Sequence, residues 1–305
     1  MDVANTSGVS TRNLLELLLL ASLWGGSFLL LRVTAPSFGP IFLIEMRVLM
    51  GLVVLLPILL ISGKQKELIA NWRTIALVSL TNMCLPFCLL AFASLSLGAG
   101  MISILNATVP FFAAAIGLML FGQKVSMAAA SGLIVGFSGV VVLMAGDSQS
   151  TGAGTTLLAF AAGLAAALCY GFSTNVINHR LLGVSGLAIT TGSLFFTVIY
   201  LLPVLFWNLP DTLPGTTMWL YVFILGTACT GLAYVLFYRL IMRMGAYQTL
   251  TVTYLVPVFS MLYGFFLLAE VVTGVMLGGS LLVLLGVAVT TGRLKLLPIR
   301  SQSKN

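Results

Sequence analysis

Apolar residues run in stretches of about 20, separated by short polar or small-residue turns, and the rhythm holds from Leu14 almost to the end of the chain. A helix rises 1.5 Å per residue, so each stretch is long enough to cross about 30 Å of hydrocarbon. The pattern predicts ten spans, at residues 14–31, 41–61, 72–95, 98–121, 126–145, 155–178, 186–207, 218–242, 245–269 and 272–292. Only the small-residue turn of Gly98, Ala99 and Gly100 parts the third span from the fourth. No connection is long enough to fold as a soluble domain, so the activity is expected inside the bilayer. The first run follows Arg12 in the manner of a signal peptide, but it lacks a small-x-small cleavage site and has a counterpart later in the chain. It is therefore read as a span.

Composition agrees. Of the 305 residues 60% are apolar and 7% charged, against about 25% charged in soluble domains, which excludes a soluble or a disordered protein. The 4 cysteines, Cys84, Cys88, Cys169 and Cys229, lie within apolar runs and imply no disulfide framework. Cys84 and Cys88 are one helical turn apart, and small packing residues are the better reading of them than a metal or redox pair. No metal or cofactor site is expected.

Charge sets the topology. With the N-terminus cytoplasmic, all but two of the 14 Lys and Arg fall on the cytoplasmic side, the exceptions being Arg32 on the opposite face and Arg47 within the second span. The acids Asp147, Asp211 and Glu270 fall on that opposite face. Such a bias is the positive-inside pattern, and it predicts cytoplasmic termini, with residues 293–305 as a basic cytoplasmic tail. The net charge of +7 is thereby accounted for without nucleic acid.

The chain also matches itself when shifted by about 147 positions. Gly98, Ala99, Pro110, Gly117, Gly132 and Gly139 then fall on Gly245, Ala246, Pro257, Gly264, Gly279 and Gly286 without a gap. A shift of about 146 places Trp24, Gly25 and Ser27 on Tyr170, Gly171 and Ser173. The sequence thus divides into five-helix repeats at 12–146 and 155–292. Five is odd, so the second repeat enters the membrane from the other side. An inverted pair can exchange the conformations of its halves, which is the basis of alternating access around a midplane site.

These residues carry a family resemblance. Trp24, Gly25, Gly26, Ser27 and Phe28, then Arg47 with the apolar run to Pro57, the Gly98–Pro110 opening of the fourth span and its echo from Gly245 to Pro257 resemble the EamA-like, ten-helix branch of the drug/metabolite transporter superfamily. The resemblance covers nearly the whole chain, and its specificity comes from the order and duplication of short motifs. It implies an all-α integral membrane protein of two inverted repeats, placed in the plasma membrane (the bacterial inner membrane) and serving as a secondary carrier of small metabolites, often an exporter of amino acids or related compounds. One position departs from the family. Where both halves usually carry Glu at the turn after the fourth and ninth spans, this chain has Gln123 and Glu270.

Polar and aromatic side chains at membrane depth are the candidates for substrate contact, since lipid penalises them unless they face a cavity or one another. Trp24, Ser27, Phe28 and Leu31 share one helical face, and Tyr170, Ser173, Thr174 and Ile177 repeat it in the second half, with Asn175 beside them. Asn82, Tyr234 and Tyr238 complete the aromatic and amide set. Asn106 and Thr253 stand four residues before Pro110 and Pro257, whose missing N–H frees their carbonyls. Arg47 is a candidate partner for a substrate carboxylate or a ligand of loop carbonyls, and Glu45 a candidate proton site. They are two residues apart and so point to different sides of the helix. His179, beside Arg180, is expected to be solvated. Gly132, Gly136, Gly278, Gly279 and Gly286 mark close helix packing or a homodimer contact.

A membrane enzyme would need an Asp-rich motif, a histidine cluster or a placed carboxylate pair, and none is written here. A channel or scaffold would need no inverted repeats. The carrier is the expected function, with the coupling ion, the direction and an uptake role for a vitamin-like solute left open.

Overall fold

The computed structural model describes residues 10–123, 126–146, 153–210 and 212–294, and every regular element among them is a helix. The expectations for Lys124, Asp147, Asp211 and the tail from Lys295 onward lie outside the described residues.

Among the described residues eight helices are long and apolar enough to cross a membrane: α1 (Thr11–Phe38), α2 (Pro40–Ile61), α3 (Trp72–Ala93), α4 (Ala99–Phe121), α5 (Met127–Ala145), α6 (Thr155–Arg180), α7 (Gly186–Leu205) and α8 (Thr216–Met244). Two shorter apolar helices follow, α9 (Val252–Leu268) and α10 (Gly274–Thr290). Short helical turns at Gln65–Ala70 and Ala246–Thr249 precede α3 and α9. Large apolar side chains stand out from the bundle, among them Met119 at 80% exposure and Phe266 at 73%. Such surface is stable against lipid and not against water. The chain is a multi-pass membrane protein.

The first helix outlasts its apolar run. It continues through Arg32 to Phe38 because the Arg32 guanidinium donates to the carbonyls of Ser94 and Leu95 at the end of α3, at 2.7 and 2.9 Å. The chain then reverses at Gly39, whose φ of 70° is open to glycine, and Pro40 begins α2 with its φ already helical. At the other end of the bundle Glu16 on α1 pairs with Arg12 and with Arg239 and Arg243 of α8. We call that end, which also carries Lys64, Arg180 and Arg293, the basic end.

The interior is irregular at matched places. A π-helical turn interrupts α3 at Leu80–Cys84 and α8 at Thr227–Leu232. In α4 the helix breaks at Ala107–Thr108 before Pro110, and in the second half a similar break falls at Leu250–Thr251, just before α9. Packing pairs also match: α1 lies on α9 as α4 lies on α6, while α2 against α8 answers α3 against α7. Helices α5 and α10 pack along their length, with Gly286 against the Gly136 backbone and Gly132 against Thr290. Gly278 has open space around it. The cysteines are free, and Cys84 and Cys229 are buried in the core.

Candidate functional site

A cavity of about 540 Å³ lies between the halves. Its wall on α1 is the face formed by Trp24, Ser27, Phe28 and Leu31. α2 contributes Arg47, α6 contributes Tyr170 and Thr174, and α8 contributes Tyr234. The broken helix α4 supplies Ser103, Asn106 and Pro110, and the start of α9 supplies Thr253 and Tyr254. Toward the basic end the lining finishes at Thr291 and Arg293.

Each side chain is held by its neighbours. Trp24 packs edge-on to Tyr234, with ring centres 5.9 Å apart, and against Phe237 at 5.3 Å. Arg47 is 6% exposed; its Nε donates to Thr230 Oγ1 at 3.0 Å, and its guanidinium sits 4.0 Å from the centre of the Phe87 ring. Thr230 belongs to the π-turn of α8, so that irregularity aims the arginine. No carboxylate pairs with Arg47 among the described residues, and Glu45 does not line the cavity. Glu45 is buried, and its Oε2 has no hydrogen-bond partner among the described residues. Asn106 is in the same condition at Oδ1, but within the cavity wall. The hydroxyls of Ser27, Thr174 and Thr253 donate to the carbonyls of Trp24, Tyr170 and Leu250 on their own helices, which leaves only their acceptor lone pairs for a ligand.

Three of the sequence candidates sit elsewhere. Asn82 lies in the π-turn of α3, where it donates weakly to Ser193 Oγ and accepts from Ser173 Oγ, tying α3 to α7 and α6. Asn175 is spent on the carbonyls of Ala113 and Gly171, both at 2.9 Å, and accepts from Gln123 Nε2 at 3.1 Å. Tyr238 hydrogen-bonds Thr190, and its ring fills the space beside Gly186. In turn, Phe87, Ser103, Tyr254, Thr291 and Arg293 line the cavity without having stood out in the sequence. The last three form a cluster: Tyr254 Oη lies 2.8 Å from Thr291 Oγ1, and Arg293 lies over the Tyr254 ring at 5.8 Å. His179 stacks on Phe121, with ring centres 4.6 Å apart.

The two ends of the bundle differ. At the end opposite the basic one, Ala269 takes a left-handed φ of 52° and turns Glu270 back, its N–H on the Gly264 carbonyl. The Glu270 carboxylate then accepts the Ala99 N–H at 3.0 Å and caps α4, whose own N-cap, Gly98, has no side chain to do so. Gly98 and Gly264 make room: a Cβ at either would lie 2.8 and 2.3 Å from Glu270 Oε2. At the basic end Gly122 makes the same turn and places the Gln123 N–H on Gly117, but the Gln123 side chain goes to Asn175. Gly245, the counterpart of Gly98, has no atom of the described residues, its chain neighbours aside, within 4 Å of where its Cβ would be.

Apolar-surfaced helices gathering aromatic, amide and guanidinium groups around a chamber between the two halves define the arrangement of a membrane transporter. The chain belongs to the EamA-like transporter family, whose profile matches it twice, over residues 13–145 and 157–292, and with it to the drug/metabolite transporter superfamily. A relative from Salmonella typhimurium strain LT2, named "Probable amino-acid metabolite efflux pump", is 25% identical over 282 residues, 88% of this chain and 91% of its own. A solved crystal structure superposes with a TM-score of 0.66 over 93% of this chain and 98% of its own, at 19% identity, a likeness of fold.

Proposed function

We propose that this protein is a secondary carrier that exports small metabolites, amino acids or compounds built like them, by alternating access across the bacterial inner membrane. The observation that carries the reading is the 540 Å³ chamber lined by residues of both halves, its lining reaching Thr291 and Arg293 toward the basic end, while at the opposite end Glu270 caps α4. In this reading α1–α5 and α6–α10 are inverted repeats and all ten helices cross the bilayer. The matched π-turns and packing pairs support it. With the basic end taken to face the cytoplasm, we read this form as the inward-facing one, ready to load from inside. Closing the basic end and releasing Glu270 would give the outward-facing form. The lining residues Trp24, Phe28, Arg47, Asn106, Tyr170 and Tyr234 are the proposed substrate contacts. The name of the Salmonella relative supports amino-acid cargo and export.

Purified protein in liposomes, preloaded with unlabelled amino acid, should take up the labelled compound by saturable counterflow. Trp24→Ala and Tyr170→Ala should lower the rate without lowering membrane insertion. Linear, non-saturating flux would mark a channel and remove the carrier reading. Counterflow untouched by both substitutions would move the binding site elsewhere.

A further inference from the structure

A buried guanidinium with one bond to the protein and no countercharge is expensive at membrane depth, and the expense is recovered when a ligand brings the missing anion. Arg47 is that group: among the described residues only its Nε is engaged, by Thr230, and Phe87 against the face of the guanidinium holds its plane. The terminal nitrogens remain to donate in parallel, the arrangement that suits a carboxylate's two oxygens. The lining contains a second cation, Arg293, and among the described residues no acid. A ligand's positive group therefore finds no carboxylate here. It finds Asn106, whose Oδ1 is buried in the wall without a partner among the described residues, and the Asn106 carbonyl, which has no N–H from Pro110 to accept. The remaining wall is aromatic, through Trp24, Tyr170 and Tyr234.

From this we infer that the cavity selects solutes bearing a carboxylate, which Arg47 anchors, together with an ammonium or other donor that Asn106 accepts, on a large apolar or aromatic body. The inference rests on the carrier reading and narrows its cargo: amphipathic α-amino acids are bound, while amines and amino-acid esters, cationic without a carboxylate, are rejected. A cavity of this size is within the range for such solutes.

The test uses four probes that share one aromatic body: phenylalanine, its methyl ester, 3-phenylpropanoate and phenethylamine. Binding to the purified full-length protein is read from quenching of Trp fluorescence and from the ligand-induced rise in melting temperature. Phenylalanine should bind tightest, with the ester and the amine weaker by about 10- to 100-fold, the range expected when a hydrogen bond to a charged partner is lost. 3-Phenylpropanoate should fall between. Arg47→Met should make phenylalanine and its ester bind alike, and Arg47→Lys should keep the preference in reduced form. Asn106→Leu should erase only the difference between phenylalanine and 3-phenylpropanoate. An ester that binds wild-type protein as well as the acid overturns the anchor, as does a carboxylate preference that survives in Arg47→Met, and either leaves the carrier standing. Binding of none of the four overturns the amino-acid reading of the pocket, and the anchor with it.

Discussion

Replacing Glu270 by Ala removes the only side-chain acceptor that caps α4 among the described residues, and with it a negative charge at a helix N-terminus. The lost cap is worth about 0.5–2 kcal/mol and the lost charge about 0.3–1 kcal/mol, so the form that contains the bond loses about 1–3 kcal/mol. In a two-state carrier this moves the population toward the other form by about 5- to 150-fold. The assay is thiol accessibility: with Cys84, Cys88, Cys169 and Cys229 replaced, a single cysteine at Ser103, buried between the cap and the cavity floor, is labelled in right-side-out vesicles by an impermeant reagent. Labelling from the outer face should accelerate by that factor in Glu270→Ala, and by less in Glu270→Gln, which keeps a neutral acceptor. Gly98→Ala should act in the same direction, because its Cβ would occupy the carboxylate's place at 2.8 Å. An unchanged labelling rate in a Glu270→Ala protein of normal melting temperature would refute the cap as a closure of the outer face.

The reciprocal change, Gln123→Glu, discards the donor to Asn175 Oδ1 and sets a carboxylate beside that oxygen, so it should also speed outer-face labelling at Ser103; slower labelling would break the proposed equivalence of Gln123 and Glu270. Gly286→Ala puts a Cβ 2.5 Å from the Gly136 backbone, which has no flexible end to move, and should cost about 1–3 kcal/mol of stability by overpacking. Gly278→Ala meets open space inside the same helix and should gain about 0.5–1 kcal/mol. Melting temperatures in detergent that fail to separate these two variants would contradict the α5–α10 packing. At the basic end, Glu67 is held down to about 2 by its hydrogen bond from Lys64 and by the Ser185 N–H. A carboxyl depressed in the folded state stabilises above its unfolded value of about 4.3, and that gain is lost as pH falls toward 2. The melting-temperature difference between wild type and Glu67→Gln should therefore be constant near neutrality and shrink to a small remainder by pH 2; a difference that keeps its neutral-pH size at pH 2 would show that the charge is not its source.

What the sequence revealed of the fold was what a regular helix and a fixed bilayer thickness dictate. α1 is uninterrupted past Leu31, so Trp24, Ser27, Phe28 and Leu31 share a wall as their spacing requires. Residues that are neighbours in sequence are about 100° apart, and Asn175 accordingly turns to α4 while Thr174 faces the cavity. Phase reading failed at the π-turns. The Leu80–Cys84 turn carries one extra residue per turn, puts Asn82 at a junction of three helices and rotates Phe87 under Arg47, and no periodicity in the apolar run announces it. Arg293 was legible only as a charge, because its place at the cavity mouth depends on how α10 packs against the start of α9.

The difference between the two turns, Gln123 in the first half where the second half has Glu270, has the larger consequence. The same glycine-lined turn is built at both ends of the bundle, but at one end it holds a carboxylate, which pairs with the partial positive charge of a helix N-terminus, and at the other a neutral amide. On the carrier reading the two closures are therefore unequal in energy. A charged cap on α4 favours the form that loads from the cytoplasm over the one that would cap the start of the ninth span with an amide, and the resting orientation follows from one side-chain difference between the repeats.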